Sequence, residues 1–280
     1  MIRRILATFI LPALLATTAA AAPDSPAVKP LVIWPLGDSI TVGAGIPGGY
    51  RSPLYEMLTQ AGYQVRFTGS DHRAPTPVLT ASGNTGHDGH GSYPSFLLAG
   101  NLDQLPKMPV KPSAPNSNNG GFWLTGTNTR PPIEPDVILL MAGTNDLGMF
   151  QRTPEQLLKD YDALLTKLTT LRPKAAIIAA ALAPYSGKPV MHGRDYRQRE
   201  AKQVTFNAAL PALVDKYRTA GHRVFFYDMR RHLPVSSAST TIGGDGVHPT
   251  QAGYEAIARG WFEAMQENKL LPPPPAAVPQ

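Results

Sequence analysis

Short apolar runs alternate with amphipathic stretches along most of the chain. Five runs have the length of β-strands, at residues 31–36, 63–69, 136–142, 175–182 and 222–228. The third and fourth runs are almost wholly apolar, as expected of parallel strands that helices cover on both faces. The alternation therefore predicts an α/β domain with a parallel sheet and right-handed crossovers.

The stretches that separate the strands carry apolar residues at helical spacing. They predict helices at residues 52–61, 154–171, 197–217 and 250–266. The second is the most clearly marked, because Thr153 can cap its first turn and Pro154 suits the first helical position.

Two internal segments lack both patterns. Residues 70–93 hold few large apolar residues, and residues 106–135 hold many prolines together with an Asn/Ser/Gly patch. Loops this long in a compact domain are usually functional or disordered. Phe122 and Trp123 indicate that the second segment packs back onto the fold.

The two ends of the chain are expected to lie outside the folded domain. Residues 1–22 join Arg3 and Arg4 to an apolar run of about 12 residues and then to small residues, which is typical of a cleaved secretory signal peptide. That run is short against the roughly 20 residues of a membrane span. We expect a linker at residues 23–30, one domain at residues 31–271, and a disordered proline-rich tail at residues 272–280.

Composition narrows the function classes. Removing residues 1–22 takes away two arginines, so the formal charge falls from +6 to 24 − 20 = +4. Without a run of Lys or Arg, the mature chain lacks the footprint of a nucleic-acid binder. The absence of cysteine excludes disulfides and a thiol nucleophile. We expect a secreted or periplasmic protein that is not stably inserted in a membrane.

Three polar motifs follow predicted strands, where open α/β sheets bind their ligands. Gly37-Asp38-Ser39 follows the first strand, and Gly143-Thr144-Asn145-Asp146 follows the third. Asp245-Gly246-Val247-His248-Pro249 precedes the last helix. Each motif alone could be a helix cap or a turn. Their common placement predicts instead that all three meet at one edge of the sheet.

The three motifs together contain what acyl transfer to a serine requires. Ser39 would be the nucleophile, His248 its base, and Asp245 the carboxylate that orients the imidazole. The backbone N–H of Ser39 and the side-chain amide of Asn145 would face the developing oxyanion. A third donor is expected from the backbone of the glycine-rich segment at residues 86–92.

These motifs resemble blocks I, III and V of the SGNH/GDSL hydrolase superfamily. The early motifs Gly48-Gly49-Tyr50-Arg51 and His87-Asp88-Gly89-His90 are most similar to carbohydrate esterase family 3, the acetylxylan esterase group. The resemblance implies a flavodoxin-like three-layer α/β/α sandwich with a five-stranded parallel sheet. It implies an esterase without a cofactor that removes acetyl or other short acyl groups from sugar hydroxyls.

The resemblance also bears on single residues. Where the family usually has a glycine whose N–H serves the oxyanion hole, this chain has Ser92, preceded by Gly91. Gly89, Gly91 and Ser92 therefore all remain candidates for the third donor. Asp38 and Asp146 are expected to have a structural role next to the catalytic residues, without contacting the substrate.

Several neighbouring residues allow more than one interpretation. His87, Asp88 and His90 could bind a metal, although polar scaffolding is the expected role and no metal is predicted. Arg51 could hold a substrate carboxylate, but the expected role is to tie its loop through an internal ion pair. Trp34, Phe122 and Trp123 could stack on a sugar ring. For Trp34, which lies within a predicted strand, core packing is the expected role.

Two other functions remain as alternatives. A hydrolase of lipid, thioester or aryl esters would use the same machinery with a different acyl groove. A carbohydrate-binding module on a hydrolase scaffold would keep the fold without the chemistry. The polar composition of the long loops favours a carbohydrate substrate over a lipid.

Overall fold

A computed structural model describes residues 29–105, 121–185, 196–233 and 240–273. The predicted signal peptide, most of the linker, residues 106–120 of the second long segment and residues 274–280 of the tail lie outside the described residues.

A parallel sheet forms the centre of the domain. In chain order its strands are β1 Leu31–Gly37, β2 Val65–Phe67, β3 Asp88–Gly89, β4 Val137–Met141, β5 Ala176–Ala180 and β6 Val224–Tyr227. The order across the sheet is β2-β1-β4-β5-β6, and every pairing is parallel. The five predicted strands are confirmed, and the two-residue β3 adds a short pairing with the end of β1.

Helices connect the strands. They are α1 Ser39–Val42, α2 Arg51–Gln60, α3 Pro77–Ala81, α4 Ser95–Asn101, α5 Thr144–Gly148, α6 Pro154–Leu171, α7 Tyr196–Thr219 and α8 Gln251–Glu267, with a 3₁₀ turn at Met229–Arg231. Helix α2 packs against α8, while α4 and α7 both pack against α6. The two groups flank the sheet, which gives the expected three-layer α/β/α fold.

The apolar pattern explains where the core lies. Every residue of β4 and β5 is buried, as their unbroken apolar runs predicted. Helix α6 buries one stripe at helical spacing, which includes Leu157, Tyr161 and Leu168. Each fully buried side chain of this size stabilises the fold by about 1.5–3 kcal/mol.

The start of α6 shows how local sequence sets an element's boundary. The Thr153 hydroxyl accepts a hydrogen bond from the backbone N–H of Gln156 at 3.3 Å. The Gln156 side chain returns the bond to the backbone N–H of Thr153 at 2.9 Å. This capping box and Pro154 fix the helix at the residue predicted from the sequence.

The prediction that residues 70–93 lack regular structure was wrong in part. Helix α3 and strand β3 both lie in this segment. Thr76 caps α3 by accepting a hydrogen bond from the backbone N–H of Leu79, and Pro77 occupies the first turn. A strong cap thus starts a short helix despite the low apolar content.

No helix in the described ranges combines the length and the hydropathy needed to cross a membrane.

Candidate active site

A serine and a histidine from opposite ends of the chain meet at the carboxyl edge of the sheet. Ser39 is the first residue of α1, directly beyond β1, and His248 lies just before α8. The Ser39 Oγ lies 2.8 Å from the His248 Nε2 although 209 positions separate them. This distance allows the imidazole to accept the hydroxyl proton.

Asp245 completes a hydrogen-bonded chain behind the histidine. Its Oδ2 lies 2.5 Å from the His248 Nδ1, while its Oδ1 accepts the backbone N–H groups of Val247 and His248, each at 2.9 Å. Partial burial acts to raise the pKa of Asp245, but these hydrogen bonds outweigh it and hold the pKa below its ordinary value. A carboxylate at this position assigns the proton to Nδ1, so Nε2 is the nitrogen that accepts from Ser39.

Backbone hydrogen bonds join the two ends of the segment that carries His248. The His248 carbonyl accepts the Gly243 N–H at 2.8 Å, and the Thr241 carbonyl accepts the Thr250 N–H at 2.9 Å. Thr250 then caps α8 by accepting from the Gly253 N–H. These bonds fix the imidazole relative to a long helix packed on the sheet.

The turn into α1 leaves one backbone donor available. Asp38 caps the helix, with its Oδ1 accepting the Ile40 N–H at 2.9 Å, and its carbonyl accepts the Thr41 N–H. The Ser39 N–H, at the first helical position, has no acceptor within the described part of the chain. Asp38 is buried, and burial raises the pKa of its carboxyl to about 6.

Asn145 and Asp146 join the end of β4 to the neighbouring loop and helix. The Asn145 Nδ2 donates to the Tyr93 carbonyl at 3.0 Å, which engages one of the two N–H groups of the amide. Asp146 is buried and accepts the Ser95 N–H at 2.9 Å and the Ser95 hydroxyl at 2.7 Å. Burial raises the pKa of Asp146 to about 6.

The glycine-rich segment passes beside Ser39. The His90 N–H donates to the Gly37 carbonyl at 3.1 Å, so this segment is attached to the end of β1. Gly89 is removed as a candidate oxyanion donor, because its N–H donates to the His87 Nδ1 at 3.0 Å. For Gly91 and Ser92, no acceptor of the backbone N–H lies among the described residues.

The side chains of this segment form a buried polar cluster. The two ring nitrogens of His87 accept from Gly89 and donate to the Arg73 carbonyl. Asp88 accepts from Trp34, Ser70 and His90. Over the described ranges, no three His, Cys, Asp or Glu side chains are grouped as a metal site requires.

The structure also shows where Arg51, Trp34 and Trp123 lie. Arg51 is fully buried and donates to the carbonyls of Val42, Arg73, Ala74 and Thr85. The predicted ion pair was therefore wrong, since backbone carbonyls tie the loops instead. Trp34 is buried in the core as expected, and the buried Trp123 stacks on His90 at 4.9 Å, so its ring offers no platform for a sugar.

Sequence reasoning missed two partners of the site, Tyr93 and Ser95. Tyr93 contributes a backbone carbonyl, which leaves no mark in the sequence. Ser95 is the first residue of α4, directly after Pro94. The Pro94-Ser95 pair could have indicated a helix start, but nothing in the sequence links it to Asp146.

Comparison with known proteins agrees with this geometry. The model of the GDSL-like Lipase/Acylhydrolase family matches residues 36–256. A multidomain esterase of Ruminococcus flavefaciens is 28% identical over 254 residues, which cover 86% of this chain but only 29% of that protein. The chain thus spans less than a third of this curated relative.

Two solved structures share the fold. A family 3 carbohydrate esterase of Clostridium thermocellum is 26% identical, with a TM-score of 0.63 over 85% of this chain and 96% of that one. A carbohydrate esterase family 3 protein from Talaromyces cellulolyticus is 22% identical, with a TM-score of 0.62 over 86% of this chain and 100% of that one. The family expected from the sequence is confirmed, and the chain belongs to the GDSL-like lipase/acylhydrolase family, a class of ester hydrolases.

Proposed function

We propose that this protein is a secreted or periplasmic serine esterase that removes acetyl or other short acyl groups from carbohydrate hydroxyls. The observation that carries the catalytic part is the hydrogen-bonded chain from the Ser39 Oγ through His248 to Asp245, at 2.8 and 2.5 Å. A serine hydroxyl is a weak nucleophile at neutral pH and needs a base at this distance.

Acylation begins when the Ser39 Oγ attacks the ester carbonyl carbon. As the O–C bond forms, the hydroxyl proton passes to the His248 Nε2, and Asp245 stabilises the resulting imidazolium. The carbonyl oxygen becomes an oxyanion. Breaking the ester C–O bond then releases the sugar oxygen, which takes the proton from His248 and leaves an acyl group on Ser39.

Deacylation repeats the sequence with water as the nucleophile. His248 takes a proton from the water, whose oxygen bonds to the acyl carbon. The second tetrahedral intermediate collapses by breaking the bond to the Ser39 Oγ, which recovers its proton from His248. The products are the free carboxylic acid and the unmodified enzyme.

Three donors are assigned to the oxyanion in both steps. They are the free backbone N–H of Ser39, the second N–H of the Asn145 amide and a backbone N–H from the Gly91-Ser92 segment. All three belong to strand ends or to segments bonded to them, so they are held in place before the substrate arrives. Each such donor is worth about 10²–10³ in rate.

Two observations support a carbohydrate substrate. The fold-sharing structure with 26% identity is a carbohydrate esterase, and its likeness extends over 85% of this chain. The described loops beside Ser39 are also polar, and Trp123 and Tyr93 are buried rather than lining an apolar groove.

Release of acetate from acetylated xylan tests both parts of the proposal. We expect the wild type to release acetate, and Ser39→Ala to release none while keeping its thermal unfolding midpoint. Ser82→Ala is the matched control, because Ser82 is exposed and its hydroxyl bonds to the Leu79 carbonyl of its own helix. Acetate release by the Ser39→Ala variant would overturn the assignment of the nucleophile.

A series of nitrophenyl esters separates the possible substrates. An esterase for short acyl groups should cleave the two-carbon ester best, whereas a preference for eight carbons or more would assign a lipid substrate instead. A wild type that cleaves no ester but binds xylan would point to a non-catalytic binding module.

A further inference from the structure

Ser92 has a backbone conformation that favours glycine. Its φ is +67°, in the left-handed region where a Cβ crowds the backbone. A serine in this region costs the fold free energy that a glycine would not. Unfavourable conformations of this kind cluster at functional sites, so the side chain that causes the cost merits an explanation.

Two backbone anchors place Ser92 at the rim that carries Ser39. On one side, the His90 N–H donates to the carbonyl of Gly37, two residues before Ser39. On the other side, the Tyr93 carbonyl accepts from the Asn145 amide. Only two residues lie between these anchors, so Ser92 must pass between the end of β1 and the start of α5.

The polar groups of Ser92 are not engaged in hydrogen bonds within the described part of the chain. Among the described residues, neither its hydroxyl nor its N–H finds a hydrogen-bond partner. The side chain is half-buried, so it lies at the surface of the site and not in the core. Neighbouring His90, by contrast, is fully buried, and its ring bonds to the Asp88 carboxylate.

We infer that the Ser92 hydroxyl donates a hydrogen bond to an oxygen of the bound substrate. This inference rests on the proposed function and adds a side-chain contact to it. An acetyl group ends in a methyl that accepts no hydrogen bond. The acceptors within an acylated sugar are the ester carbonyl oxygen and the oxygens of the sugar itself.

Two variants separate the hydroxyl from the backbone. Ser92→Ala removes the hydroxyl but keeps the Cβ and the N–H. Ser92→Gly removes the hydroxyl and relieves the backbone conformation. Lys269→Gly is the matched control, because Lys269 also has a positive φ, of 54°, but is exposed beyond the far end of α8. Thermal unfolding of all three variants establishes that they are folded.

We expect Ser92→Ala to lower kcat/KM on acetylated xylan about three- to tenfold, the usual effect of losing one uncharged hydrogen bond. Ser92→Gly should show the same loss although its unfolding midpoint rises, and Lys269→Gly should keep wild-type activity. An equal loss on nitrophenyl acetate would assign the ester carbonyl as the acceptor. A loss confined to xylan would assign a sugar oxygen.

Wild-type kcat/KM for Ser92→Ala on both substrates would overturn the inference, and so would a loss seen only in Ser92→Gly, which would trace to backbone freedom. Either result would leave the proposed function intact as long as hydrolysis depends on Ser39. A wild type without Ser39-dependent hydrolysis would overturn the proposed function itself.

Discussion

Replacing Asp245 with asparagine should disable the histidine while leaving the fold almost unchanged. In the structure the Oδ1 of Asp245 accepts two backbone N–H groups, and the Oδ2 faces the His248 Nδ1. An asparagine can satisfy the two backbone donors only with its amide oxygen. Its NH₂ group must then point at Nδ1.

That orientation forces the wrong tautomer on the imidazole. With an amide donor opposite, Nδ1 must carry the lone pair, and the ring proton moves to Nε2. Nε2 then faces the Ser39 hydroxyl as a donor and cannot take its proton. Loss of the correct tautomer in a hydrogen-bonded chain of this type lowers kcat by about 10³–10⁴, which corresponds to about 4–5.5 kcal/mol of transition-state stabilisation.

Steady-state hydrolysis of nitrophenyl acetate measures this effect directly. The loss should appear in kcat with little change in KM, because Asp245 does not touch the substrate. Asp215→Asn is the matched control, since Asp215 is exposed on α7 and pairs with the exposed Arg218 one turn along the same helix. A folded Asp245→Asn variant that keeps more than a tenth of the wild-type kcat would refute the assigned orientation.

Two further predictions concern the turn that presents Ser39. Burial raises the pKa of Asp38 to about 6, so the folded state binds the Asp38 proton more tightly than the unfolded state does. The protonated carboxyl therefore contributes to the free energy of unfolding below the ordinary carboxyl pKa of about 4, and this contribution is lost as the pH rises through 6. Asp38→Asn should therefore match the wild type in unfolding free energy near pH 4 and exceed it by up to about 3 kcal/mol at pH 8. Denaturant titrations at both pH values measure the difference, and a difference that does not change with pH would contradict the prediction. Gly37→Ala should destabilise the fold by about 2 kcal/mol or more, because its Cβ would lie within 2.5 Å of the Met141 carbonyl and the Thr41 hydroxyl; an unchanged unfolding midpoint would show that the turn can relax.

The sheet and the longer helices could be predicted from the sequence because their apolar periodicity is strong and local. The runs that became β4 and β5 are unbroken, and the Thr153-Pro154 pair starts α6 where expected. The predicted limits of β2 were wider than the observed Val65–Phe67, because its pairing with β1 ends at Ile33. The end of β1 pairs with the short β3 instead.

The short elements were harder to predict for a physical reason. Helices of four to seven residues, such as α1 and α4, are held by caps and tertiary contacts and carry too few turns for a periodic signal. The start of α4 depends on Asp146, which lies 51 positions away from Ser95. A contact between such distant residues cannot be read from spacing.

The central members of the candidate site could be proposed from the sequence because each has a distinct chemical type and lies beside a predicted element: Ser39 directly follows β1, and Asp245 and His248 precede α8. The oxyanion donors were predictable only in part. Asn145 could be named, but the choice among Gly89, Gly91 and Ser92 depended on which backbone N–H groups were already bonded. Arg51 was assigned an ion pair because charge is visible in a sequence, whereas its actual partners are backbone carbonyls.

The distribution of buried polar groups indicates how this protein divides stability from function. The interior strands are held by apolar packing, but the rim around Ser39 rests on buried Asp38, Arg51, Asp88 and Asp146. Hydrophobic contact is non-directional, whereas each of these groups bonds to particular backbone atoms. Their partners are, in the same order, the Ile40 N–H, loop carbonyls that include that of Thr85, the Ser70 N–H and the Ser95 N–H. Acyl transfer needs its donors about 2.7–3.1 Å from the oxyanion, and a misplacement of about 1 Å can cost on the order of 10²-fold in rate. A buried polar network at the rim therefore serves the chemistry, and small changes in it should reduce turnover before they unfold the sheet.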